Sequence, residues 1–240
     1  MAEEAFKMAF PYRTLGFVLT KEDVREADQV FSVFTKDFGK IKILGRAIRK
    51  IKSKLRSGID LFYLSEIEFI QGKNYKTLTD ALALEKNKKI REDLKIMETA
   101  REIAKAADTL IKGEEKDERI FNLLNEVFAE LAHSKYDLLY HYFFWTLVSL
   151  LGYQLDLYRC SKCQEKLASE IMNFSPEHRG IICLRCSDDS IKGKVKISPE
   201  AVKVLRIIEQ GKKDILERLK IEKDCLNELE QILQTYLISF

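Results

Sequence analysis

The stretch Gln29-Val30-Phe31-Ser32-Val33-Phe34-Thr35-Lys36-Asp37-Phe38-Gly39-Lys40-Ile41-Lys42-Ile43-Leu44-Gly45-Arg46-Ala47 reads as two β-strands joined by a tight turn. Both halves are rich in β-branched and aromatic residues, and Ile41-Lys42-Ile43 alternates apolar with charged, which places one face inward and one outward. Asp37-Phe38-Gly39 supplies the turn chemistry between Gln29–Lys36 and Lys40–Ala47. Arg13–Thr20, Ser65–Gln71 and Tyr75–Leu84 have the same character, and Gly72-Lys73-Asn74 turns the fourth strand into the fifth. Five short strands before residue 85 predict a small barrel, for which the OB-fold is the commonest five-stranded solution.

After residue 88 the apolar period becomes helical. Ile90, Leu94, Met97, Ile103, Ala104, Ala107, Leu110 and Ile111 share one face, ending at Gly113. Asp117 caps a second helix carrying Ile120, Leu123, Leu124, Val127, Phe128 and Leu131. A third, Tyr136 to Leu151, is apolar almost all round and belongs at the centre of a bundle. Ser198-Pro199 opens another helix that Gly211 stops, and a last amphipathic helix runs from about Asp214 to the end. The expected fold class is therefore α+β. A five-stranded OB-fold barrel (1–85) precedes a helical domain (86–155 and 195–240), into which a four-cysteine zinc ribbon (156–194) is inserted.

The ribbon rests on Cys160-x2-Cys163 and, 19 residues later, Cys183-x2-Cys186. Each pair offers two thiolates from one turn, and two such turns complete a tetrahedron around Zn²⁺. Four thiolates leave no open coordination position, so the expected ion is structural, one per chain. Between the pairs, Ile171–Ile182 with Pro176 and Gly180 suits a β-ribbon; His178 is a weaker candidate ligand. Cys225, beside Leu226 and Leu229, reads as a buried thiol. The chain opens without a secretory signal, so a reducing, cytoplasmic setting is expected, in which cysteines bind metal rather than pair.

Charge is distributed unevenly. The whole chain carries only +3, but from Lys36 to Arg56 nine basic residues face one acid, a net +8 in 21 residues, which leaves −5 for the other 219. The candidate nucleic-acid contacts are Lys40, Lys42, Arg46, Arg49, Lys50, Lys52, Lys54 and Arg56. Interleaved Ile48, Ile51 and Leu55 predict that this run is packed rather than loose, and it leaves the third strand where OB barrels present nucleic acid to a groove. Phe31, Phe34, Phe38 and Tyr63 are candidate base-stacking rings, although core positions suit most of them better.

Other classes fit poorly. The most apolar stretch, Leu138–Leu151, has 14 residues and contains His141, short of the roughly 20 needed to span a bilayer. His133, His141 and His178 have no nucleophile or paired carboxylate at a useful spacing, and no Gly-x-x-x-x-Gly-Lys-Ser/Thr phosphate loop occurs. No enzyme is expected.

Several stretches, in order, resemble the RecO family. They are Thr14-Leu15-Gly16-Phe17-Val18-Leu19, Arg25-Glu26-Ala27-Asp28-Gln29-Val30 and Phe34-Thr35-Lys36-Asp37-Phe38-Gly39-Lys40. Gly45-Arg46-Ala47-Ile48-Arg49-Lys50 and Ser53-Lys54-Leu55 follow, then Leu147-Val148-Ser149-Leu150-Leu151-Gly152-Tyr153, Asp156-Leu157-Tyr158-Arg159-Cys160 and Phe174-Ser175-Pro176. The likeness spans about Tyr12 to Tyr236 and includes the cysteine quartet. It implies an OB-fold, a helical domain, a zinc ribbon and a non-enzymatic recombination mediator in DNA repair and homologous recombination, localised to the bacterial cytoplasm and nucleoid. It also implies binding of single- and double-stranded DNA, annealing of complementary strands, and association with RecR and the acidic C-terminal tail of single-stranded-DNA-binding protein. Loading of RecA would follow from these. Relative to the family pattern, Met1–Pro11 precede the usual start and no basic extension follows the last helix. The residues by themselves also allow an OB-fold and zinc-ribbon protein that binds RNA or serves transcription, or one whose ribbon only contacts proteins.

Overall fold

A computed structural model describes residues 10–72, 75–131, 138–167, 172–188 and 191–238. Lys73, Asn74, His133, Tyr136 and Ile171 of the sequence reading lie outside them, as does most of the Met1–Pro11 leader. The chain divides into two compact units between residues 133 and 134.

In the first unit, β1 (Tyr12–Val24), β2 (Asp28–Thr35), β3 (Gly39–Gly45), β4 (Leu64–Gln71) and β5 (Lys76–Glu85) close a barrel in the order β1-β2-β3-β5-β4. This is the expected five-stranded OB-like architecture. The long β1 serves two neighbours: Tyr12–Phe17 pair with β4, Gly16–Val24 with β2, and the register shifts between Val18 and Thr20. Closure comes from a short parallel pairing of β3 with β5, Ile43 opposite Lys76 and Leu44 opposite Thr77. Val18, Phe31, Val33, Ile41, Ile43, Ile67, Phe69 and Leu78 fill the interior, which is why alternate positions of each strand are apolar. At the β2–β3 turn, the Thr35 hydroxyl donates to the Gly39 carbonyl (2.8 Å) and accepts from the Phe38 amide (3.1 Å). Gly39 has φ +62°, and a Cβ there would lie 2.4 Å from the Glu115 carbonyl oxygen, so only glycine fits.

Two helices belong to this same unit: α1 (Leu94–Leu110) and α2 (Glu118–Glu130). Asp93 and Asp117 cap them, each accepting from backbone amides two residues on (Lys95 and Arg119, both 2.8 Å). Phe17, projecting from β1, stacks on Phe128 (5.6 Å) and leans on Phe121 (5.4 Å). These ring contacts, which no local pattern announces, group α2 with the barrel, and Asp108 of α1 joins it through Ser32 and Lys40. The expected division of 1–85 from 86–155 and 195–240 follows secondary-structure character, whereas the compact units follow spatial contact. Ile90 is buried but sits in a 3-10 turn (Lys88–Arg91) ahead of α1, while Leu94 is 65% exposed, so the first apolar stripe starts later than its period suggests.

The second unit contains α3 (Leu139–Leu150), β6 (Met172–Ser175), β7 (Gly180–Ile182), β8 (Val195–Ile197), α4 (Pro199–Glu209), α5 (Lys213–Arg218) and α6 (Lys223–Ile238). Nine of the twelve α3 residues are buried, as its all-round apolar sequence requires. Tyr236 of α6 joins helices and sheet: its ring lies 5.3 Å from Trp145 and 6.0 Å from Phe174, and its hydroxyl donates to the Tyr153 carbonyl (2.8 Å). Burial raises that hydroxyl to about 12. The Ser198 hydroxyl accepts from the Ala201 amide and caps α4. The expected single last helix is two, because Leu216 and Cys225 are both buried. Nine residues at about 100° each would put them about half a turn apart on one helix, and the break at 219–222 resets the phase. Among the described residues, no helix is long and apolar enough to cross a membrane.

Candidate nucleic-acid interface and metal centre

The eighteen residues 46–63 connect β3 to β4 and carry most of the basic run. They are packed, as the interleaved apolar residues require. Ile48 and Ile59 are buried in the barrel core and Leu55 packs against it, although Ile51 is 94% exposed. At one end the Ala47 amide donates to the Asp28 carboxylate (2.7 Å) and the Arg49 amide to the Ala27 carbonyl (3.0 Å), fixing the run to the tip of the β1–β2 hairpin. Further along, a Cβ on Gly58 would sit 1.9 Å from the Ala81 carbonyl oxygen, so the backbone lies flat on β5. Phe62 reaches the middle of β1, its amide donating to the Val18 carbonyl (3.0 Å).

This path sorts the eight candidate cations. Lys40 points at α1: its ammonium donates to the Asp108 carbonyl and lies 3.6 Å from the Asp108 carboxylate, with 15% of the side chain exposed. Burial pulls its pKa below the usual lysine range despite the Asp108 charge. Arg49 pairs with Asp23 (3.3 Å) and donates to the Glu26 carbonyl (3.2 Å). Lys42, Arg46, Lys50, Lys52, Lys54 and Arg56 are exposed and, among the described residues, make no ion pair. These six can meet phosphates without first giving up an acid. Lys40 is a structural clamp.

The candidate stacking rings fare differently. Phe31 and Phe34 are core, at 1% and 0% exposure. Phe38 is held edge-on between Tyr12 (5.6 Å) and Phe69 (5.5 Å). Tyr63 is covered by the Arg91 guanidinium (5.1 Å) and the Lys86 ammonium (5.9 Å). Packing engages all four of these rings, while the cations of residues 46–63 stay exposed.

In the second unit the four cysteines converge. Their sulfur atoms all lie within 4.8 Å of one another, and Cys163 and Cys183 are 3.9 Å apart. A tetrahedron of thiolates about 2.3 Å from zinc has sulfur–sulfur edges of about 3.8 Å, so the donor set fits that ion. Two tight turns present them: the Gln164 amide donates to the Cys160 carbonyl (2.8 Å), and the Cys186 amide to the Cys183 carbonyl (3.0 Å). Burial alone would raise the Cys160 thiol, but amides of Cys163, Cys183 and Lys162 aimed at its sulfur bring it down to about 6. Cys186 is driven up to about 12 by burial and by the neighbouring sulfurs, a crowding that a divalent cation relieves. His178 is engaged elsewhere, its Nδ1 3.0 Å from the buried Ser175 hydroxyl. His141 is sealed in α3 with Nε2 3.8 Å from the Glu230 carboxylate, and desolvation lowers its pKa.

Comparison with known proteins divides the chain between residues 86 and 91, where strands give way to helices, and not at the 133/134 division of the compact units. The family model described as Recombination protein O N terminal matches residues 8–86, and Recombination protein O C terminal matches 91–238. The chain belongs to the RecO family. A relative from Dehalococcoides mccartyi named DNA repair protein RecO is 33% identical over 220 residues, 91% of this chain and 86% of its own. Relatives of the same name from a Roseiflexus species and from Acetivibrio thermocellus are 28% and 29% identical, covering 94% of this chain and 80% and 90% of theirs.

Asp108→Ala is expected to leave Lys40 only the main-chain carbonyl of residue 108 and to strand the Ser32 hydroxyl, which donates to the lost carboxylate (2.5 Å), and to destabilise the first unit by about 1–3 kcal/mol in urea unfolding. Lys40→Met, which keeps the aliphatic stem, costs less. Neither changes DNA affinity if Lys40 is a clamp; weaker DNA binding by Lys40→Met with stability retained returns it to the binding surface.

Proposed function

We propose that this protein is a non-enzymatic DNA-binding mediator of repair and recombination that grips nucleic acid through phosphates along residues 42–56. The observation that carries the reading is the set of six unpaired cations on a packed segment of an OB-like barrel, in a chain of the RecO family. Packing matters because cations on a fixed backbone lose less conformational freedom on binding than cations on a loose loop. Phosphate contacts position a strand without reading sequence, which suits a protein that handles any gap. Neutralising two polyanions at once favours annealing of complementary strands. Family membership supports the partners: RecR, the C-terminal tail of single-stranded-DNA-binding protein and, through them, RecA, acting in the cytoplasm. The four cysteines take zinc as a structural ion, since a closed set of thiolates leaves no position for substrate. The sealed His141 and the Ser175-bound His178 are consistent with a function free of catalysis.

Replacing Lys50, Lys52, Lys54 and Arg56 together with glutamine is expected to reduce the log–log salt slope on single-stranded DNA by about 0.7 for each phosphate no longer neutralised, with all sequences weakened alike. Annealing should slow in parallel. An unchanged slope in a variant with normal circular dichroism moves the interface off this segment. RNA-selective binding by the parent protein would instead favour the RNA-binding reading.

Metal analysis of the purified protein is expected to give one zinc per chain. Cys160→Ser should release the metal and lower thermal stability while leaving the salt slope intact, because zinc binding supplies folding free energy and not DNA contacts. A folded protein without metal ends the zinc assignment.

A further inference from the structure

The basic run is not the whole of the positive surface on the first unit. Lys86-Asn87-Lys88-Lys89-Ile90-Arg91, where β5 hands over to α1, holds four cations and no acid in six residues. The overall charge count passes over it because Glu85 and Glu92 flank it. The fold fixes this turn firmly. Asn87 adopts φ 44°, ψ 48°, a conformation asparagine tolerates, and its side-chain amide donates to the Phe62 carbonyl (2.7 Å). Ile90 is buried and pins the turn from below. Lys86, Lys88 and Lys89 are exposed and, among the described residues, make no ion pair. They border an open groove floored by Phe17, Leu64 and Phe128.

Phe62, which the Asn87 side chain grips, is the last part of the same connection that begins with Arg46. That connection starts at the β1–β2 hairpin tip, at Ala27, and ends beside Val18 in the middle of β1. From Val18 to Val24 is six strand residues, about 20 Å at about 3.3 Å per residue. Lys50, Lys52, Lys54 and Arg56 lie on this connection, which crosses β5 at Ala81 on its way, and the turn bearing Lys86, Lys88 and Lys89 stands at its far end. The acid between them, Asp60, is already neutralised: it pairs with Lys21 (2.6 Å) and Arg91 (3.0 Å). Although burial opposes it, these partners hold its carboxyl below the usual carboxylate range.

We propose that Lys86, Lys88 and Lys89 extend the phosphate-binding surface of residues 46–56 into one track about 20 Å long, along which a single strand of DNA lies. The inference rests on the reading of residues 42–56 as the DNA contact. The ligand chemistry is a polyanion backbone: three separate ammonium groups on the outside of a turn meet successive phosphates. Arg91 is excluded, because it is committed to the Asp60 carboxylate; Lys86 shares the Tyr63 ring with it but pairs with no acid among the described residues.

The test compares two full-length variants binding an unstructured thymidine 20-mer across a salt series. One changes Lys86, Lys88 and Lys89 to glutamine; the other changes Lys50, Lys52, Lys54 and Arg56. Circular dichroism and thermal unfolding check each fold, and Lys86→Arg/Lys88→Arg/Lys89→Arg serves as a charge-conserving control. The track predicts that the glutamine triple lowers the slope by up to about 2, at about 0.7 per phosphate, and that the arginine triple restores it. A reduced slope in the quadruple variant with a parental slope in the triple overturns the extension and leaves the proposed function standing. A parental slope in the quadruple variant overturns the proposed function, and the track with it. Loss of polyglutamate binding by the triple, with its DNA slope unchanged, overturns the track in favour of an acidic protein partner.

Discussion

Everything on the first unit's surface follows from how its barrel closes. Strand β5 lies between β3 and β4, and it meets β3 in parallel through only two residue pairs, Ile43–Lys76 and Leu44–Thr77. The chain leaving β3 at Gly45 therefore cannot turn directly into β4; it must travel past β5 to reach Leu64. A free crossing of that length would be a loose loop. Here Ile48, Leu55, Ile59 and the side-chain-free Gly58 hold it against the barrel, so its cations are displayed on a fixed backbone. Closure of the sheet and presentation of charge are the same structural fact seen from inside and outside.

The second unit solves the converse electrostatic problem. Its four sulfurs are crowded within 4.8 Å, an arrangement that repels itself once the thiols ionise. Backbone amides favour the thiolate at Cys160, while Cys186 is pushed the other way. A divalent cation held by these sulfurs would resolve the conflict and tie together the two turns of a short ribbon whose sheet, β7-β6-β8, has only three strands. Phe174 and Tyr236 then join that sheet to the helices around α3.

Much of this is legible in the sequence because it is written locally. Period-two alternation at Ile41-Lys42-Ile43, the Cys-x2-Cys spacing, and the caps at Asp117 and Ser198 each require only a few neighbouring residues. What escapes is written over long distances. Nothing near Lys40 marks it as the partner of Asp108, 68 residues away, nor Arg49 as the partner of Asp23, so a charge count treats all eight cations alike. Phe17 attracts α2 to the barrel through ring contacts that hydrophobic periodicity does not encode. The turn at Lys86–Lys89 hides because Glu85, Glu92 and Asp93 reduce the four cations of 86–91 to a net +1 in a linear count. The break between α5 and α6 shows in the sequence only once Leu216 and Cys225 are both known to be buried.

The central claim is that nucleic acid meets the packed connection between β3 and β4. Lysine footprinting by limited acetylation and mass spectrometry, with and without saturating single-stranded DNA, tests it residue by residue in the unaltered protein. DNA is expected to shield Lys50, Lys52 and Lys54, while Lys162 and Lys203 in the second unit keep their reactivity and Lys40 is slow to react in either case. Protection confined to second-unit lysines, with Lys50, Lys52 and Lys54 reacting equally with and without DNA, would contradict it.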